Sequence, residues 1–250
     1  TITDAEFKSW GMIKDGTEDK DTMVFFEFAE GVQNQLYSMS YNDPVTLGIS
    51  LKIESFGKLE LSKLNEEGDL ISGAVFNVSG PNGYNKDVTV TNGKITLEKL
   101  KKGIYTVKEK KAPDGYLLDT KAYNVEVIPN QTVNQDITNE EPTGTITIIK
   151  KDKETGVTPQ GDAKLKGAVY EVYAAEDIYN KAKTKKFYSN GDLVATRTMN
   201  EKGETEDVTE LPLGKYKIKE KTASEGYFVD NTEYSVILAY KDQNTKVITN

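Results

Sequence analysis

Gly103-Ile-Tyr-Thr-Val-Lys-Glu109-Lys-Lys-Ala-Pro-Asp-Gly-Tyr116 returns later in the chain as Gly214-Lys-Tyr-Lys-Ile-Lys-Glu220-Lys-Thr-Ala-Ser-Glu-Gly-Tyr227. In each, apolar residues two apart (Tyr105/Val107 and Tyr216/Ile218) share one face of an extended strand. A Gly-Tyr pair then marks a turn. Self-similarity of this kind points to tandem copies of one small β-fold.

Working outward, the rest of each copy recurs. Gly57-Lys-Leu-Glu-Leu-Ser-Lys63 returns as Gly144-Thr-Ile-Thr-Ile-Ile-Lys150, and Gly73-Ala-Val-Phe-Asn-Val as Gly167-Ala-Val-Tyr-Glu-Val. Ile137-Thr-Asn139 returns as Ile248-Thr-Asn250. From Glu to the closing Asn is 30 residues in both copies, while from the opening Lys to Glu is 46 in the first and 70 in the second. Of the extra 24, seven fall before Gly167, around Thr158 to Asp162, and seventeen between Gly167 and Gly214, mostly at Asp177 to Gly191. Insertions belong in surface loops.

Short alternating runs (Leu59/Leu61, Val75/Val78, Val88/Val90, Tyr123/Val125/Val127) broken by turn residues such as Asn92-Gly93 predict an all-β fold, a tandem of Ig-like sandwiches. Residues 57–141 form the first domain and 142–250 the second, joined at Glu140-Glu-Pro-Thr143. Residues 1–56 match neither copy. Val24-Phe-Phe-Glu-Phe28, Leu36-Tyr-Ser-Met39 and Leu47-Gly-Ile-Ser-Leu51 make them a β-rich segment or partial domain.

Composition narrows the function. The chain has 250 residues, a net charge of −8 and one arginine, Arg197, so a basic nucleic-acid face is not expected. With neither Cys nor His, zinc sites, thiol nucleophiles and Ser-His-Asp triads are excluded. No apolar run reaches the length of a membrane span. Asp15, Asp19 and Asp21 lack EF-hand spacing and are expected in a solvated loop. No metal or cofactor is expected. The chain begins without Met and stops in a strand-like run, as part of something longer would.

Strand parity puts three polar residues of each copy on the core side. Lys63 shares a face with Leu59 and Leu61, Glu109 with Tyr105 and Val107, and Asn139 with Ile137. Lys150, Glu220 and Asn250 stand likewise with Ile146/Ile148, Tyr216/Ile218 and Ile248. Buried Lys and Glu must satisfy one another. Two readings remain open on residue types alone: strand-end residues turned to solvent, or a buried ion pair capped by Asn with no chemistry.

These repeats resemble the CnaB (SpaA-like) domains of Gram-positive adhesins and pilins. The resemblance rests on the opening strand ending in Lys, on Glu109 to Tyr116, and on the closing strand ending in Asn. It covers residues 57–250, with Ser224 where the family usually has Pro. It implies a Lys–Asn isopeptide bond in each repeat: Lys63–Asn139 with Glu109 as catalyst, and Lys150–Asn250 with Glu220. In a dry core the amine is neutralised by passing its proton to the carboxylate. It then attacks the Asn carbonyl, with the Glu bonded to that oxygen and shuttling protons, and ammonia leaves. Each domain would react once and is not a turnover enzyme.

Two functions follow. One is a structural stalk or pilin segment of a cell-wall-anchored surface protein, its anchor outside this sequence and its partners the neighbouring domains. The other is an adhesin module recognising a host matrix protein or glycan, through residues 1–56 or the aromatics Tyr179, Phe187 and Tyr188. Rings exposed in one patch would favour binding. A glycosidase with paired carboxylates is disfavoured, since nothing converges on a cleft.

Overall fold

The structure, a computed structural model, describes residues 55–156 and 159–249. The expected 1–56 segment lies outside them save for Ser55 and Phe56, and so do Asp15, Asp19 and Asp21. Residues 53–250 make one compact unit that contains two sandwiches.

The first repeat comprises β1 (Phe56–Leu64), β2 (Val75–Gly80), β3 (Tyr84–Thr89), β4 (Lys94–Lys101), β5 (Gly103–Lys111), β6 (Ala122–Val127) and β7 (Thr132–Thr138). The second comprises β8 (Thr143–Ile146), β9 (Val169–Ala174), β10 (Ile178–Tyr179), β11 (Lys186–Tyr188), β12 (Leu193–Thr198), β13 (Val208–Leu211), β14 (Gly214–Thr222), β15 (Tyr234–Leu238) and β16 (Val247–Thr249). Sheets β4-β1-β7 and β3-β2-β5-β6 enclose the first core, and β13-β8-β16 and β12-β9-β14-β15 the second. Strand order is the same in both. The surplus of the second repeat appears as the β10–β11 hairpin, where the sequence puts its largest insertion.

Alternation explains both cores. Leu59, Leu61, Phe76, Val78, Tyr105, Val107, Val125, Val127 and Ile137 are buried between the first two sheets. Val78 shares its face with Phe76; Val75, three residues away, points the other way, as period 2 demands. Ile146, Ile148, Tyr170, Val172, Tyr216, Ile218 and Leu238 fill the second core.

Two recurrences acquire physical reasons. The Tyr105 hydroxyl donates to the Lys101 carbonyl at 3.1 Å, and the Tyr216 hydroxyl to that of Pro212 at 2.6 Å. Each buried phenol is satisfied four residues upstream, as in the tyrosine corner of Ig-like sandwiches. Gly57 and Gly144 open the first strand of each repeat because a Cβ there would strike the Ile128 carbonyl in one and the Leu238 side chain in the other.

Candidate functional site: a buried Lys–Glu–Asn cluster

In the first repeat the first and last strands lie side by side. β1 pairs with β7 in parallel, Lys63 opposite Ile137 and Leu64 opposite Thr138. Asn139 follows directly, its N–H donating to the Leu64 carbonyl at 3.0 Å. Glu109 comes from the facing sheet, opposite Phe76 of β2. The three side chains meet inside the sandwich, Lys63 and Asn139 at 0% and 1% exposure.

Lys63 Nζ lies 3.3 Å from Glu109 Oε1 and 5.6 Å from the centre of the Phe76 ring. Glu109 Oε2 accepts from Asn139 Nδ2 and from the Asp119 N–H, both at 2.8 Å. Asn139 Nδ2 also donates to the Leu117 carbonyl at 2.7 Å. Three buried atoms stay without a hydrogen bond: Lys63 Nζ, Glu109 Oε1 and Asn139 Oδ1. The Nζ–Oε1 contact is thus an ion pair by distance without the alignment of a hydrogen bond. Such orphans cost of the order of 1–3 kcal/mol each in a dry core, so their clustering calls for a reason.

Desolvation pushes the Lys63 amine below its usual value, against the opposing pull of Glu109. That shift favours the neutral, nucleophilic amine. One detail differs from expectation: the carboxylate faces the amide nitrogen, not the carbonyl oxygen. The reason is local. Glu109 and the Leu117 carbonyl are both acceptors, so the amide aims its two N–H donors at them.

The second repeat assembles part of the same constellation. Lys150 Nζ donates to Glu220 Oε1 at 2.8 Å and lies 3.5 Å from the Tyr170 hydroxyl, with the Tyr227 ring 5.3 Å away. Glu220 Oε2 accepts from the Asp230 N–H at 2.7 Å, the counterpart of Asp119. Asn250 lies outside the described residues. The closing strand has a different register: β16 pairs with β8 with Ile248 opposite Gly144 and Thr249 opposite Thr145. Its counterpart Ile137 faces Lys63 itself, so β16 sits six residues short of the equivalent position, Lys150. Lys150 also lies past the end of β8, whereas Lys63 lies within β1.

Sequence reasoning missed a supporting pair. Asp119 accepts from the Tyr123 hydroxyl at 2.6 Å and the Lys121 N–H at 2.8 Å; Asp230 accepts from the Tyr234 hydroxyl at 2.6 Å and the Thr232 N–H at 2.9 Å. These Asp residues form the turn whose own N–H binds the Glu. The signal was available, since Asp and Tyr four residues apart recur at the same distance after each Glu.

Of the three insertion aromatics, Tyr188 packs against the second core. Tyr179 and Phe187 are 40% and 37% exposed, with Lys186 and Lys185 ammonium groups 5.4 and 4.9 Å from their ring centres.

The family model described as SpaA, a prealbumin-like fold domain, matches residues 57–141 and 144–250. No curated protein matches the chain. Among solved structures, the Bacillus anthracis TIE protein is 32% identical over 78% of this chain, with a TM-score of 0.59; the match spans 33% of that protein's length. A Streptococcal ancillary pilin is 22% identical over 78% of this chain and 62% of its own, with a TM-score of 0.35. BcpA, the major pilin subunit of Bacillus cereus, is 14% identical over 78% of this chain and 98% of its own, with a TM-score of 0.30.

Proposed function

The chain belongs to the SpaA family of prealbumin-like fold domains, and from that premise we propose that residues 57–250 are a load-bearing stalk segment of a bacterial surface protein, a pilin or adhesin, whose repeats lock themselves with Lys–Asn amides. The observation that carries this reading is the first repeat's buried cluster. An amine and an amide share one carboxylate in a dry core, Lys63 Nζ 3.3 Å from Oε1 and Asn139 Nδ2 donating to Oε2, while the amide's Oδ1 has no hydrogen bond.

The chemistry balances. Lys63 passes one proton to Glu109 and becomes a free amine. Its Nζ bonds to the Asn139 side-chain carbon, the carbon–Nδ2 bond breaks, and a second amine proton reaches Nδ2 through the carboxylate. Ammonia departs and a secondary amide remains. Glu109 already contacts the departing nitrogen at 2.8 Å, within reach for that transfer. Holding the partners in contact supplies the effective molarity that makes an amine–amide exchange feasible in water. Each repeat reacts once, so the protein is not a turnover enzyme, and no cofactor enters.

Mechanical consequence follows from position. The bond ties the first strand of a sandwich to its last, which already lie side by side, so tension meets a covalent link before strands peel. By analogy with disulfides, closing the loop from 63 to 139 adds about 4–5 kcal/mol. In the second repeat the corresponding bond, Lys150–Asn250 with Glu220, requires β16 to advance six residues along β8 from the register it holds. A cell-surface location and neighbouring domains as partners fit this role. The host-ligand alternative draws support from Tyr179 and Phe187 but competes with a hairpin whose lysines ride over both rings.

Intact mass of the purified chain tests the reading. A deficit of one ammonia per closed repeat is expected, with one restored by Glu109→Ala. A mass equal to that of the sequence overturns it and makes the clusters plain ion pairs.

A further inference from the structure

Two pieces of the second repeat rest on the first. The tip of the β10–β11 hairpin reaches Glu67 through Asn180 Nδ2 at 3.2 Å and Lys185 Nζ at 3.1 Å, and Asp69 through the Thr184 hydroxyl. Lys181 binds Asp114 at 3.1 Å, and its N–H donates to Glu141 at 2.8 Å. The second piece is the β15–β16 connection. Gln243 Oε1 accepts from the Ala112 N–H at 3.0 Å, and the Gln243 carbonyl accepts from the Leu118 N–H at 2.8 Å. Beside it the Tyr240 hydroxyl donates to the Tyr116 carbonyl at 3.4 Å.

The contacts of the second piece fall on the 112–118 loop, which completes the cluster. Ala112 follows directly on β5, three residues after Glu109. Leu118 stands between Leu117, whose carbonyl holds the Asn139 amide, and Asp119, whose N–H holds Glu109. Gln243 therefore grips both ends of the 112–118 loop with one residue. The corresponding loop of the second repeat is held by its own repeat, through the Lys164 N–H on the Glu225 carbonyl and the Tyr227 hydroxyl on Asp152, and Phe228 and Val229, the counterparts of Leu117 and Leu118, are 99% and 41% exposed.

We infer that the second repeat positions the first repeat's self-cross-linking site, with Gln243 as the positioning residue acting through the 112–118 loop. The inference rests on the proposed Lys63–Asn139 reaction and adds that a domain docked from outside sets its rate. The physical reason is geometric. An amine and an amide must be held at near-attack distance, and a displacement of about 1 Å in such a site costs about a hundredfold in rate. Within the first repeat the loop is held by the Leu117 N–H on the Glu140 carbonyl and by Ala112 and Tyr116 packed on Ile71; the two hydrogen bonds of Gln243 add an anchor from the neighbouring sandwich at Ala112 and Leu118. The two repeats would then mature in an order, the first closing only after the second has folded and docked.

The test uses the full chain made by cell-free translation, with aliquots quenched at intervals. Intact mass and the cross-linked Lys63–Asn139 peptide report closure. Gln243→Met keeps the bulk and loses the side-chain acceptor; Gln243→Glu keeps an acceptor oxygen. Lys185→Ala removes a joint ion pair that does not touch the loop. Closure is expected to slow about tenfold in Gln243→Met, while Gln243→Glu and Lys185→Ala stay within about twofold of the unsubstituted chain. Rescue by the acceptor separates positioning from a general loss of packing. Equal rates in Gln243→Met and the unsubstituted chain, or equal slowing by Met and Glu, overturn the inference and leave the cross-link standing. Absence of the cross-linked peptide from every chain, the unsubstituted one included, overturns the underlying reaction and the inference with it.

Discussion

The two repeats carry the same Lys, Glu and Asn at matching places in their strands, yet they are not the same site. In the first, Lys63, Glu109 and Asn139 converge in a core without solvent, and β7 sets Ile137 against Lys63. In the second, Lys150 and Glu220 form a well-aligned 2.8 Å pair, while β16 sets Ile248 against Gly144, six residues before Lys150. The aligned pair belongs to the repeat with the distant closing strand; the misaligned, orphaned one belongs to the repeat whose Asn is at hand. An ammonium that finds a good carboxylate is at rest. In the first repeat the pair is poorly aligned, and the same carboxylate also accepts from the Asn139 amide nitrogen. Residue identity supplies the same Lys and Glu in both repeats, and strand register separates them.

The largest effect expected from breaking this comparison is on stability. Under the proposed cross-linking, Glu109→Ala abolishes the Lys63–Asn139 amide and leaves the Lys63 amine buried without its carboxylate. Loss of the cross-link alone costs the first repeat about 4–5 kcal/mol, read as an earlier first transition in urea unfolding. Glu220→Ala should cost the second repeat less if its bond is open, because Lys150 sits nearer solvent than Lys63. Equal losses in the two variants would mean that β16 does advance to Lys150 and both amides form.

Peptide mapping sharpens the point at intermediate scale. Cross-linked peptide from residues 63 and 139 should accumulate before any from 150 and 250. Simultaneous appearance would make the six-residue offset irrelevant to the chemistry.

The tyrosine corners should behave alike, since both repeats share them. Tyr105→Phe and Tyr216→Phe are each expected to cost about 1 kcal/mol, the net worth of one buried hydrogen bond. Thermal unfolding of the two variants would check this, and a clear inequality would make one corner a bystander.

The smallest effect is in acid. Hydrogen bonds from Thr232 and Tyr234 lower the Asp230 carboxyl to about 2. A depressed carboxyl adds stability that is full above the ordinary Asp value near 4 and lost as pH falls through about 2. Asp230→Asn should therefore flatten the acid limb of the second repeat's stability between about pH 4 and 2. An unchanged limb would mean that the turn holding Glu220 does not depend on that charge.

Much of the fold was legible because it is written at short range. Alternation identified Leu59/Leu61 and Tyr105/Val107 as inward residues, and the same parity pointed Lys63 and Glu109 into the core. The insertion at 177–191 was placed by subtraction and emerged as the β10–β11 hairpin. Other features were less accessible. Val75 was read with Val78, although residues three apart cannot share a strand face. The Asp–Tyr turns went unread because neither residue looks unusual alone. The contact of Glu109 with the amide nitrogen depends on the Leu117 carbonyl, which no residue pattern announces.

By itself the sequence determined that there are two β-repeats and which Lys and Glu face inward, because side-chain direction along a strand follows from the chain's own period of two. Only the tertiary structure decided the register of β7 on β1 and of β16 on β8, and the clasp of Gln243 on the 112–118 loop. Parallel pairing of a first strand with a last joins residues 74 apart at Lys63 and Ile137, and 104 apart at Gly144 and Ile248. At that separation neither turn geometry nor local periodicity fixes the offset, which is left to how the whole sandwich and its neighbour pack.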